Sequence, residues 1–266
     1  MINQWQIRLW DGLAVLVVLA YGLLAWSVAG GQAGTALDPV LAAARERGSL
    51  RVAIDVGFRP FSDQVNGELV GYDVDLAVAL AERLGLQAEF VPTGFDGLYD
   101  TLTSGRADVI IAALVYAPEQ GFRARFSQPY FDVGQVLVVA NMSAVSGLND
   151  LAGDTVGVAL GSDADALARR LALSNDFILD ASYDAPAEAV EALRAGRLDA
   201  VITDNVTALS AINTTPALRL ALALSSEPLV IGLSRPAFQL EAELNRALAD
   251  LRREGLFEEL AARWMR

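Results

Sequence analysis

Three features of the amino-acid sequence predict an α/β fold built as two similar lobes. Apolar runs of strand length alternate with amphipathic helical stretches over residues 50–114 and again over 155–202, the pattern of parallel sheets covered by helices. The segment Gly105-Arg106-Ala107-Asp108-Val109-Ile110-Ile111 is echoed by Gly196-Arg197-Leu198-Asp199-Ala200-Val201-Ile202 at the matching place in the second alternation. Two amphipathic stretches, Phe238–Glu254 and Phe257–Trp264, need a sheet to cover.

Leu50 to Val56, a β-branched apolar run broken by Gly57, reads as the first strand. Val65-Asn66-Gly67 marks a turn. Asp73 opens a helix with Leu76, Leu80 and Leu84 on one face, and Gly85 stops it. Gln87–Val91 is the second strand, Phe95–Ser104 the next helix, and Val109–Leu114 the third strand. Pro118 and Glu119 suit the first turn of a short helix that Gln128-Pro129 ends. Leu114 to Gln120 is then a crevice loop beyond the carboxyl end of a parallel strand, where ligands of open α/β sheets sit. In the second half Thr155–Leu160 and Phe177–Leu179 read as strands, Ala164–Leu173 and Pro186–Arg194 as helices, and Leu229–Leu233 as a further strand.

Gly12 to Ala29 is an uncharged apolar run of about 18 residues, near the lower limit for one transmembrane helix. Trp5, Trp10 and Trp26 suit the two interfaces. A secretory signal peptide is the competing reading, because Ser27-Val28-Ala29 and Gly31-Gln32-Ala33 offer small residues for cleavage. The run exceeds a usual signal core, and Arg8 is offset by Asp11, which favours an uncleaved anchor. Arg8 on the leading side puts the amino terminus in the cytoplasm and the bulk on the periplasmic or extracytoplasmic face. Cleavage would instead secrete the chain. Gly30–Ala36 is a small-residue linker, Asp38–Arg47 a short helix, and the folded domain is expected to begin near Ser49.

The formal net charge of −13 argues against nucleic acid or an anionic membrane surface as partner. All 20 basic residues are arginine, which excludes Schiff-base chemistry and a P-loop lysine. With no cysteine and no histidine, thiol nucleophiles, Ser-His-Asp triads and the usual zinc ligands are absent together. The aspartates are scattered rather than spaced as a calcium loop, so neither a metal nor another cofactor is expected.

From about Ser49 to Trp264 the chain resembles the periplasmic solute-binding proteins of polar amino-acid ABC transporters (family 3). The resemblance is carried by Phe58-Arg-Pro-Phe61, Gly67-Glu-Leu-Val-Gly-Tyr-Asp-Val-Asp75, Phe95-Asp-Gly-Leu98, Gly105-Arg-Ala-Asp108, Phe126-Ser-Gln-Pro-Tyr130 and Gly196-Arg-Leu-Asp-Ala-Val-Ile-Thr-Asp204, in this order. It implies the two-lobed type II periplasmic-binding-protein fold, with a hinge near 131–135 and 225–229 and ligand in the cleft. Residues 1–36 would be anchor or signal plus linker, 37–133 with 228–266 lobe one, and 134–227 lobe two.

In the family an arginine after the third strand grips the ligand carboxylate as a bidentate pair. Its position here is Gln120, the usual threonine is Ala117, and neighbouring hydroxyl positions are Ala112, Ala113 and Val115. A charged hydrogen bond contributes about 1.5–3 kcal/mol, so losing the clamp lowers affinity for a free amino acid by hundreds or more. Arg123 and Arg125 would point away on a helix from Pro118, and Arg59 is the better substitute. Asp163 and Asp165 stand where a helix start would receive an anion and can cap it themselves.

What remains is acidic and aromatic. Asp204 matches the carboxylate that holds the ligand amino group, Asp55 ends the first strand, Phe58 and Phe95 match the aromatic walls, and Tyr116 lies in the crevice loop. Such a cleft suits a cation, partly through ring faces. The alternatives are structural: Asp55 as a turn cap, Asp204 as a helix cap, the rings as core. The functional expectation is a membrane-tethered, non-enzymatic solute-binding protein for a small cationic or neutral ligand, working with a transmembrane permease. One competitor is an accessory subunit of a membrane complex that keeps the fold without the ligand. Another is a dehydratase-like enzyme with Glu119 or Asp163 as general acid, disfavoured because its substrates also carry a carboxylate.

Overall fold

The computed structural model describes residues 38–266. The apolar run 12–29, and with it the anchor reading, lies outside the described residues. Among the described residues no helix is long and apolar enough to cross a membrane.

The fold begins before Ser49. Helix α1 (Pro39–Arg47) is capped by Asp38, whose carboxylate accepts the Leu41 N–H at 2.7 Å. The other oxygen accepts the N–H groups of Gln239 (2.6 Å) and Leu240 (2.9 Å) at the start of the long carboxyl-terminal helix. One carboxylate thus satisfies free donors of two helices, and Leu41 and Ala44 are fully buried beneath it. The expected start near Ser49 is corrected accordingly.

Strand β1 (Ser49–Ile54) is followed by the β2 (Asp63–Val65) and β3 (Glu68–Val70) hairpin, helix α2 (Tyr72–Arg83), β4 (Gln87–Pro92), α3 (Leu98–Thr103), β5 (Val109–Ile110) and β6 (Ala124–Phe126). Next come β7 (Phe131–Asp132), β8 (Gln135–Ala140), β9 (Thr155–Ala159), α4 (Asp163–Leu171), β10 (Ile178–Tyr183), α5 (Pro186–Arg194), β11 (Ala200–Asp204), α6 (Asn205–Thr214) and β12 (Leu218–Ala223). The chain ends in β13 (Pro228–Leu229), β14 (Gly232–Ser234), α7 (Phe238–Arg253) and α8 (Leu256–Trp264). The strands form two five-stranded sheets, in the orders β4-β1-β5-β14-β6 and β10-β9-β11-β8-β12.

Each sheet is covered on both faces, and strand alternation decides which side chain goes where. Val52, Val109 and Ile111 enter the core under α1, α2, α7 and α8, while Ala53, Ile110 and Ala112 pack on Leu98 and Leu102 of α3. In the second sheet Leu137 and Val139 face α4, while Val136 and Val138 face α5 and α6.

The repeated Gly-Arg-x-Asp segment does the same work twice. Gly105 (φ +71°) and Gly196 (φ +70°) end α3 and α5 in the left-handed conformation that glycine adopts without a Cβ penalty. Asp108 then accepts the Arg51 N–H at 2.8 Å, and Asp199 accepts the Thr155 N–H at 2.8 Å. Each aspartate stitches the third strand of its alternation to the first.

Several boundaries differ from expectation. Only Val109 and Ile110 of the run to Leu114 form the β5 ladder, because Ala113 turns into the left-handed region (φ +46°). Pro118–Gln120 is one turn of 3₁₀-helix rather than a helix reaching Gln128, and β6 follows it. The run Leu229–Leu233 divides into β13 and β14, and β8, β12 and the full length of β10 were not foreseen.

Two connections link the sheets, and they pair as antiparallel β7 and β13. A Cβ on Gly134 would lie 2.4 Å from the Ser225 carbonyl oxygen, so the two backbones touch there only because residue 134 is glycine. Asp132 joins them, accepting N–H groups of Gly134 (2.8 Å) and Glu227 (2.9 Å) and the Ser226 hydroxyl (2.5 Å). Desolvation opposes its ionised form, but the bonds from Glu227, Ser226 and Gly134 outweigh it and hold the carboxyl below the usual value.

Candidate ligand-binding site

The parallel strands β1, β4 and β5 all run toward one pole of the first sheet. Asp55 directly follows β1, Phe95 lies just past β4, and Tyr116 and Gln120 lie in the loop leaving β5, so these residues gather beyond the carboxyl ends of the strands. Asp55 is half-buried, and its backbone carbonyl accepts the Ser62 hydroxyl. Phe58 and Phe95 are 55% and 57% exposed, which excludes the core reading for both rings. Phe58 lies parallel to Phe61 with centroids 6.0 Å apart, and Phe61 is buried edge-on to Phe131. The exposed ring is thus laid over a fixed one.

Tyr116 packs edge-on against Phe126 at 5.3 Å and, with Pro129, Pro228 and Val230, lines a cavity of about 350 Å³ beside the interlobe crossing. Gln120 closes the 3₁₀ turn; it is half-buried, and its Oε1 is buried without a partner. Three arginines near this loop are each held in an ion pair. Arg59 turns back onto Asp63, Arg123 pairs with Asp100, and Arg125 pairs with Glu241. No helix carries Arg123 and Arg125: Arg123 precedes β6 and Arg125 lies within it.

The crevice loop is held from beneath by Asp73, in the first turn of α2. Asp73 is fully buried; one oxygen accepts the Ala113 N–H at 2.5 Å and the other the Tyr130 hydroxyl at 2.9 Å. It clamps both ends of the segment that carries Tyr116 and Gln120. Burial raises its pKa to about 7, against the pull of those two hydrogen bonds. The signal in the sequence was an aspartate directly before the apolar Val74, inside the buried face of α2.

In the second sheet the parallel strands β9 and β11 end side by side. Beyond them Asp163 and Asp204 line one cavity of about 130 Å³ together with Gln135, Ser162, Thr203 and Pro186. Both carboxylates belong to helix starts, and no basic residue lines the cavity. Asp204 caps α6, accepting the Thr207 N–H at 2.8 Å and the Thr207 hydroxyl at 2.7 Å. It therefore fills the capping role and faces the cavity at once. At α4 the cap is Ser162, which accepts the Asp165 N–H at 3.2 Å, and not Asp163. Asp165 reaches back to the Gly161 N–H at 3.0 Å, so a donor that could meet an anion is already taken by a carboxylate. Gln135 and Thr203, unremarked in the sequence, come to this cavity only through the pairing of β8 with β11. Among the described residues no acidic cluster suited to a metal is present.

Two helix-covered sheets with polar residues gathered at the carboxyl ends of their strands, linked by a paired crossing, define a two-lobed receptor of the periplasmic-binding-protein class. The sequence profile of the bacterial extracellular solute-binding proteins, family 3, matches residues 50–266, and the chain belongs to that family. It is similar to the L-cystine-binding protein TcyJ of Escherichia coli (strain K12), 32% identical over 226 residues that cover 83% of this chain and 84% of that protein. Among solved structures, an ancestral cationic amino acid solute-binding protein matches with a TM-score of 0.60 and 30% identity, covering 85% of this chain and 99% of that one. An ancestral cyclohexadienyl dehydratase matches with a TM-score of 0.72 and 28% identity, covering 85% and 95%.

Proposed function

We propose that this chain is an extracytoplasmic solute-binding protein for a small organic cation, delivered to a transmembrane permease. The carrying observation is the cavity shared by Asp163 and Asp204, which has two carboxylates and no basic residue in its lining. An ammonium or amidinium group fits that chemistry, and the exposed faces of Phe58, Phe95 and Tyr116 suit the rest of a cation. A free amino acid would bring a carboxylate to Gln120 and Asp163, where no cation receives it. A carboxylate-bearing dehydratase substrate meets the same obstacle. Residues 37–133 with 228–266 form one lobe in this reading and 134–227 the other, with the β7–β13 crossing as hinge. Residues 12–29 tether the receptor to the membrane.

The test is thermal unfolding against a panel of amines, polyamines, amino acids and neutral solutes. A ligand at 100 times its Kd stabilises the fold by about 2.7 kcal/mol. Asp204→Asn keeps a capping side chain and removes the charge, so the shift caused by an amine should vanish in that variant while the unliganded melting temperature holds. The missing arginine clamp also favours a second reading, an accessory subunit of a membrane complex that keeps the fold without a ligand. A panel without any shift supports that reading and removes the transport one.

A further inference from the structure

A cavity with charged walls lies at the opposite pole from the cleft. Strands β1 and β5 begin there, and β14, antiparallel to β5, ends there. The cavity measures about 560 Å³, within the roughly 300–1,000 Å³ typical of small-molecule sites. Its lining carries three arginines, Arg51, Arg123 and Arg235, against the single acid Asp108. Asp108 is already shared between Arg47 and Arg51. Arg123 is itself paired with Asp100, but the lining still holds more arginines than acids in a chain whose net charge is −13.

Two further observations come from the same wall. Arg51 donates from Nη2 to Asp108 at 2.9 Å, but its Nε is buried without a partner. The Ser234 hydroxyl is likewise buried without a partner. An unpaired buried donor is a cost to the fold, and both of these belong to residues that line the cavity. Arg235 is exposed, bonds only the Gly121 carbonyl at 2.7 Å, and makes no ion pair among the described residues. The rest of the wall is apolar, with Val40, Leu102 and the 71% exposed Phe122.

We propose that this cavity is a second binding site, separate from the cleft, for a small organic anion: a carboxylate or phosphate carrying an apolar body. The guanidinium groups of Arg51 and Arg235 receive the anionic oxygens, and Phe122 with Val40 and Leu102 covers the apolar part. The two sites have opposite charge preference, so each stands or falls without the other.

The experiment titrates benzoate and phenyl phosphate into the full chain in uncharged detergent micelles, with benzylamine as the cationic control. Arginine Nε–H resonances report binding by NMR. The expected result is a saturable shift of the Arg51 Nε–H with at least one anion, its Kd raised tenfold or more in Arg235→Gln and unchanged in Asp204→Asn. Benzoate without phenyl phosphate assigns a carboxylate site, and the reverse a phosphate site. Arg235→Gln removes an exposed side chain with one carbonyl bond, so the variant folds and remains informative. The proposal is overturned if neither anion gives a saturable shift, if Arg235→Gln leaves the Kd unchanged, or if benzylamine moves the same resonance equally.

Discussion

Asp73 is the single residue on which the crevice loop most depends. Its carboxyl titrates near pH 7 in the fold against an ordinary 3.8, because burial penalises the charge. Between those values the folded protein holds a proton that the unfolded chain has released. Stability from this group is therefore fully present below the unfolded value of 3.8 and is lost as pH rises through about 7, by an amount on the order of a few kcal/mol. Asn in its place keeps an acceptor for Ala113 and offers a donor to Tyr130. Urea unfolding at pH 5 and pH 8 should give a lower midpoint at the higher pH for the wild type, and a nearly pH-independent midpoint for Asp73→Asn. Equal wild-type midpoints would remove the argument. At the cleft, Gln120→Arg combined with Asp163→Thr restores a cation and removes an opposing charge. At about 1.5–3 kcal/mol for a charged hydrogen bond, calorimetry should find a roughly tenfold or greater gain in affinity for an L-amino acid. No gain would mean that position 120 does not face the ligand.

One element with little tolerance is the paired crossing of β7 and β13. Ala at position 134 would place its Cβ 2.4 Å from the Ser225 carbonyl oxygen in the facing connection, and backbone cannot swing aside as a side chain can. Gly134→Ala should lower the melting temperature by several degrees, which calorimetry reads directly. Asp132 in the same crossing has its pKa lowered, so its stabilisation is complete above the ordinary 3.8 and disappears as pH falls further. Asp132→Asn should flatten the acid limb of stability below about pH 4 and leave the neutral range for Asp73 to govern. The crossing was legible as a location in the sequence, at 131–135 and 225–229. Its hydrogen bonds were not, because Asp132 and Glu227 are brought together only by the return of the chain.

At the scale of the whole molecule, the two sheets gather polar residues at the carboxyl ends of their parallel strands, and the first sheet presents an arginine-lined cavity at its other pole. If a cation bridges the Asp163–Asp204 cavity and the aromatic rings of lobe one, closing the hinge, small-angle scattering should give a smaller radius of gyration with a binding amine than without it. An unchanged radius at saturation would count against closure. What the sequence determined by itself is the alternation of elements, the twofold Gly-Arg-x-Asp stitch and the family, because each depends on residue types at short spacings. Only the tertiary structure decided that Asp38 caps two helices, that Asp73 anchors the crevice loop, and that Gln135 and Thr203 join Asp204 in one cavity. Those contacts join residues tens to hundreds of positions apart. Strand order and helix docking set such distances, and no local pattern of residues records them.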